Sequence, residues 1–141
     1  MKLRRIFLCA LLAAVLVLTC AACGEKVTFA PTDESIMTAE INEKGDTLTY
    51  TVTASTSVQV TVFTFEDGKL DRVRMTHYTK TKEEAEFFAL SLEKGNTVRD
   101  CYRKIKQKGT KVTAEYGPDM LATVKDYSIT ALKEYMEQQL Y

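Results

Sequence analysis

Histidine is nearly missing from this chain: His77 is the only one in 141 residues. A transition-metal site needs three or four ligands, so neither a metal nor a cofactor is expected. There is no Gly-rich phosphate loop, no Gly-x-Ser-x-Gly turn and no His-Glu-x-x-His helix. Acidic residues are plentiful, yet no pair has a spacing that implies acid–base work. Without a nucleophile–base pair an enzyme is not expected. A basic excess is missing too: Lys and Arg number 19, and so do Asp and Glu. That balance argues against nucleic acid as a partner. Cysteine is confined. Cys9, Cys20 and Cys23 fall in the first 23 residues, and only Cys101 lies beyond them.

What is present begins with the start of the chain. Lys2, Arg4 and Arg5 precede an apolar run from Ile6 to Leu18, followed by Thr19-Cys20-Ala21-Ala22-Cys23-Gly24. A charged start, an apolar stretch and small residues before a cysteine are the layout of a secretory signal peptide. The competing reading is an uncleaved transmembrane helix. Residues 6–23 are just short of the roughly 20 that a span needs. The alanine pair, the cysteine and the polar segment that follows argue for cleavage.

The end of this stretch resembles the lipobox of bacterial lipoproteins. The resemblance implies cleavage between Ala22 and Cys23 and diacylglycerol on the Cys23 thiol. It also implies a protein held on the outer, extracytoplasmic face of the cell membrane by that lipid. Cys20 stands three before Cys23, where the family usually has Leu. Cys20 is itself the rival acceptor, with Leu18 and Thr19 a poorer fit ahead of it. The expected organisation is a signal peptide over 1–22, a lipidated tether over 23–33 broken by Pro31, and a single domain over 34–141. Removing the signal takes three basic residues and no acidic one, so the mature net charge is −3. Only Cys101 would remain unmodified, and no internal disulfide is expected. If Cys20 carried the lipid, Cys23 and Cys101 would both be free.

The domain opens with Met37, Ala39 and Ile41 alternating with polar residues, a strand pattern, and a turn over 42–46. Over 47–54, Leu48, Tyr50, Val52 and Ala54 alternate with four threonines, which predicts a half-buried strand. Val58–Glu66 and Leu70–Thr79 flank Asp67-Gly68, the signature of a type I′ hairpin turn. An unbroken register about that turn sets Val62 opposite Val73, Val60 opposite Met75 and Val58 opposite His77. It leaves Phe63, Phe65 and Leu70 on the other face. Thr81-Lys82-Glu83-Glu84 predicts a capping box. Ala85, Phe88, Ala89 and Leu92 predict a helix over 82–94 that stops at Gly95 as its C′ residue.

The second half reads as strands over 98–107 and 110–116 about a Lys108-Gly109 turn. That register sets Ile105 opposite Val112 and Cys101 opposite Tyr116. A third strand is expected over 120–126. A last helix follows, capped by Ser128 or Asp126, with Ile129, Leu132, Tyr135, Met136 and Leu140 on one side. The expectation is an α+β domain: an antiparallel sheet of about six strands with two helices on one face, strand–strand–strand–helix repeated twice. From Cys23-Gly24 through the Asp67-Gly68-Lys69 hairpin to Thr81-Lys82-Glu83-Glu84-Ala85 the chain resembles the small lipoproteins of the YehR-like group, a likeness that implies no particular activity.

Two sets of residues are candidates for contact with a partner. Phe63, Phe65 and Leu70 are either covered by residues 27–41 or exposed to bind an envelope protein or peptide. Tyr102, Lys104, Lys106, Lys111 and Thr113 share an outer strand face, either solvated or facing an anionic surface. Cys101 reads as a buried strand cysteine or as a thiol beside Arg99 and Arg103. His77 reads as a strand-end residue with a polar neighbour or as a pH-sensitive group. The expected function is a membrane-anchored binding or accessory module for an envelope protein, peptide or wall component. The alternative is a structural or inhibitory lipoprotein that caps a partner.

Overall fold

A computed structural model describes residues 27–31 and 37–140. The signal-peptide reading of 1–22, the cleavage site at Ala22 and the lipid site at Cys23 lie outside the described residues.

The described residues form an open antiparallel sheet of six strands with three helices, an α+β domain. In chain order the strands are β1 (Thr38–Lys44), β2 (Thr47–Thr53), β3 (Ser57–Glu66) and β4 (Lys69–Thr79). Helix α1 (Lys82–Gly95) follows, then β5 (Tyr102–Lys108), β6 (Lys111–Tyr116), the short α2 (Pro118–Leu121) and α3 (Ile129–Gln138). The spatial order is β1-β2-β3-β4-β6-β5. No described helix is long and apolar enough to cross a membrane.

The turn between β3 and β4 is as the sequence implies: Asp67 and Gly68 both have positive φ, 51° and 75°. The register beyond it is not. Glu66 pairs with Lys69 and Phe65 with Leu70, but Thr64 then pairs with Arg72 and Phe63 with Val73. Asp71 is the extra residue of a β-bulge. The slip of one position exchanges the two faces of β4 relative to β3. Phe63 and Phe65 are buried and join Leu48, Val73, Leu132 and Met136 in one core cluster, with Leu70 packed against it. The expectation that they form a separate cluster on the opposite face is therefore corrected. Energy explains the choice. Burying a Phe side chain is worth about 1.5–3 kcal/mol. A bulge gives up roughly one ladder hydrogen bond, about 1 kcal/mol.

Helix α1 has the expected capping box: Glu84 N–H donates to Thr81 Oγ1 at 3.3 Å, and Thr81 N–H donates to Glu84 Oε2 at 3.1 Å. Its buried residues, Ala85, Ala89 and Leu92, pack with Met75, Val112 and Ala114. Gly95 does not end the helix as a left-handed C′ residue. The C-cap is Asn96, in right-handed conformation. The Asn96 side chain then crosses to the next strand. Its Oδ1 accepts from the Cys101 and Tyr102 amides at 3.1 and 2.9 Å, and its Nδ2 donates to the Tyr102 carbonyl at 2.6 Å. Residues 96–101 are thereby held as a loop. The strand begins at Tyr102 rather than at Val98, which is 88% exposed.

The β5–β6 hairpin turns at Gly109-Thr110, one residue later than expected, because Lys108 pairs with Lys111. Gln107, not Ile105, faces Val112. A second bulge at Lys104–Ile105 then turns Ile105 back to the core. Residues 120–126 are not a strand. Pro118 stands at the first helical position after Gly117, and the backbone donors are used locally: Leu121 to Gly117 O (2.9 Å), Ala122 to Pro118 O (3.0 Å), Lys125 to Leu121 O (2.8 Å). Leu121 and Val124, three apart, pack on the first core cluster. The order is therefore four strands, a helix, two strands and two helices, not strand–strand–strand–helix twice. Helix α3 is capped by Ser128, whose hydroxyl accepts from the Ala131 amide, and it buries Leu132 and Met136.

Candidate functional site

Strand alternation leaves one side of β4, β6 and β5 away from the buried residues Val73, Met75, Val112 and Ala114. On that side β4 places Arg72, Arg74 and Thr76, and β6 places Lys111, Thr113 and Glu115. The register brings Arg74 beside Glu115, Thr76 beside Thr113 and Lys106 beside Thr113. Four cationic side chains, Arg72, Arg74, Lys104 and Lys106, thus lie around one carboxylate, that of Glu115.

Glu115 organises the group. Its side chain is 16% exposed, and it takes Lys104 Nζ at 3.2 Å and Arg74 Nη2 at 3.5 Å. Burial pushes its pKa up. Lys104, Arg74 and the charge of Arg72 outweigh that and hold the carboxyl below its usual range. Lys104 reaches Glu115 from a left-handed backbone, φ 52°, at the β5 bulge. A non-glycine residue there is strained by about 1–2 kcal/mol. Together Arg74, Lys104, Lys106, Thr113 and Glu115 line a depression of about 250 Å³.

A second concavity, about 450 Å³, lies where α1 meets the ends of β3 and β4 and is lined by Thr56, Ser57, His77, Phe87 and Phe88, with Glu83 and Glu84. The His77 ring stacks on Phe88 at 3.8 Å and 12°. Its Nδ1 lies 3.1 Å from Gln59 Oε1, the residue opposite it in register. Burial lowers the His77 pKa from its ordinary value. The polar neighbour expected of this histidine is therefore Gln59.

The expected site residues separate. Lys104, Lys106 and Lys111 share the outer face. Tyr102 does not: it packs with the α1-side core and meets Tyr116 edge-on at 6.0 Å. That corrects its place among the outer residues. The second bulge puts Tyr102 opposite Tyr116 on the inner side. Phe63, Phe65 and Leu70 belong to the core, so they form no exposed patch, and of residues 27–41 it is Ile41 on β1 that packs against their cluster. Earlier in the same segment, the Ala30 amide donates to the Ala54 carbonyl at 3.0 Å. Cys101 is half-buried in the loop before β5, not on a strand face. The centring of the cations on Glu115 was not expected from the sequence, although its alternation with Lys111 and Thr113 carries the signal.

Among the described residues no group of three or more His, Cys, Asp or Glu is placed to hold a metal ion. No protein-family model matches the chain, nor does any curated protein or solved structure compared with it.

Proposed function

We propose that the protein is an extracytoplasmic lipoprotein, anchored through Cys23, that acts as a binding module rather than an enzyme. In this reading both longer helices cover one side of the sheet and the other side stays open as the docking surface. The observation that carries it is the cationic group on β4 and β5: four basic side chains around one carboxylate of β6 that two of them already neutralise. Such a face favours an anionic envelope protein, peptide or wall component. The strained Lys104 adds to this, since strain of that kind is concentrated at working sites.

A photo-reactive residue at position 113, in the protein on its own envelope, tests the face. Adducts are expected from 113 and are expected to vanish when Lys104 and Lys106 become Glu. Adducts from position 90 on α1 but none from 113 would reject the open face. Mass spectrometry of the amino terminus tests the anchor. Exposed Phe87 and Leu90 on α1 favour a second reading, a capping lipoprotein that docks through the helix; adducts from 90 would support it.

A further inference from the structure

The contacts of residues 27–31 tie this segment to one end of the sheet. The Ala30 amide is bonded to the Ala54 carbonyl, between β2 and β3. The Lys80 ammonium sits 5.6 Å from the centre of the Phe29 ring. Seven Cα–Cα steps lead from Cys23 to Ala30, a reach of at most about 25 Å. The eleven residues of β4 span about 36 Å. A lipid on Cys23 thus keeps the Ala54–Lys80 end close to the bilayer and leaves the Asp67 end free to point away.

The same end gathers lysines from two parts of the chain. The Thr79 amide donates to the Thr110 carbonyl at 2.9 Å, and the Thr79 hydroxyl donates to the Thr81 carbonyl at 2.8 Å. These bonds hold the start of α1 against the tip of the β5–β6 hairpin. Lys80, Lys82 and Lys108 are exposed there, and Lys111 is half-buried beside them. Glu83 and Glu84 share the end. The Glu84 carboxylate is taken up by the Lys80 and Thr81 amides at 3.2 and 3.1 Å, and Lys82 lies 3.4 Å from Glu86. The far end is more acidic, with Glu43, Asp46, Glu66, Asp67 and Asp71 exposed beside Lys44, Lys69 and Arg72.

We infer that this lysine corner seats on anionic lipid headgroups and stands the domain on the membrane with its acidic end outward. The inference rests on the lipoprotein reading and adds a second, electrostatic contact to the acyl anchor. One acyl-type attachment leaves orientation free, whereas lysines near an anionic surface bias it.

The test uses the mature protein extracted from membranes and reconstituted into phosphatidylcholine vesicles, with or without about one phosphatidylglycerol in three lipids. In a Cys101→Ser background, a donor dye is attached at Thr110→Cys or at Glu66→Cys, with an acceptor in the headgroup layer. On the anionic vesicles, transfer from position 110 is expected to rise to about twice that from 66. High salt is expected to abolish the rise, and so is the triple change of Lys80, Lys82 and Lys108 to Gln. Flotation separates the two readings. Protein that floats with both vesicle types and shows the rise supports both anchor and corner. Protein that floats with both but shows equal transfer keeps the anchor and overturns the corner. Flotation with the anionic vesicles alone supports the corner and rejects the anchor, and flotation with neither rejects both. A salt-insensitive rise also overturns the corner, and this needs no variant to fold.

Discussion

Phe63 lies directly opposite Val73, and both side chains are buried in the same core cluster. They meet because Asp71 is looped out of the ladder. With Asp71 removed, Leu70, Arg72 and Val73 would alternate in, out, in without a bulge. Deleting Asp71 is therefore expected to keep the register and change stability by less than about 1 kcal/mol. Urea denaturation and near-ultraviolet circular dichroism check it. A molten core would show that the bulge itself is required.

Gly117 has no room for a side chain. A Cβ there would drive into the carbonyl and carboxylate oxygens of Asp100. Asp100 cannot step aside, since its amide donates to Asp119 Oδ2 at 2.7 Å and its carbonyl accepts from the Asp119 amide at 3.1 Å. Gly117→Ala is expected to cost about 1–3 kcal/mol, read as a lower denaturation midpoint. An unchanged midpoint would contradict the crowding.

Asn96 closes three hydrogen bonds to the start of β5. Asn96→Ala leaves the Cys101 and Tyr102 amides without that acceptor, at a cost of about 1–3 kcal/mol. Asn96→Asp retains the acceptor but not the donor to Tyr102 O, so a smaller loss is expected. Equal losses would mean that the acceptor contributes little.

Burial lowers the His77 pKa, so the unfolded chain takes up a proton first on acidification. Stability is expected to be level above about pH 6.5 and to fall as pH drops towards the folded value. His77→Leu is expected to flatten that slope. Glu83 and Glu84 line the same groove. Glu115, whose folded pKa is depressed, contributes stability above the ordinary carboxylate pKa that is lost only as pH falls through its folded value. Denaturation midpoints across the pH range separate the two windows, and an unaltered slope in His77→Leu would remove His77 as the cause.

Local signals were legible where one short stretch determines the outcome. Thr81 and Glu84 specify the capping box by themselves, Asp67-Gly68 specifies the turn, and alternation over 47–54 specifies β2. Failures arose where a distant contact outweighed a local pattern. Alternation over 58–66 fits a Val face and a Phe–Thr face equally well, and core volume decides between them. Leu121 and Val124 read as strand or as helix until Pro118 and the Asp100–Asp119 bonds fix the choice. Of the site, Lys104, Lys106 and Lys111 were visible on one face. The meeting of Glu115 with Lys104 and Arg74 depends on the β5 bulge and on β4 lying beside β6, and neither has a short-range signature.

The strand order also bears on how quickly the chain reaches this state. Pairings β1–β2, β2–β3, β3–β4 and β5–β6 each join neighbours across a short turn, and only β4–β6 spans an intervening helix and strand. The four hairpins can zip early at small entropic cost, whereas docking β6 on β4 must close a much longer loop. The Thr79–Thr110 contact is therefore expected to be among the last to form, so changes there would speed unfolding more than they slow folding.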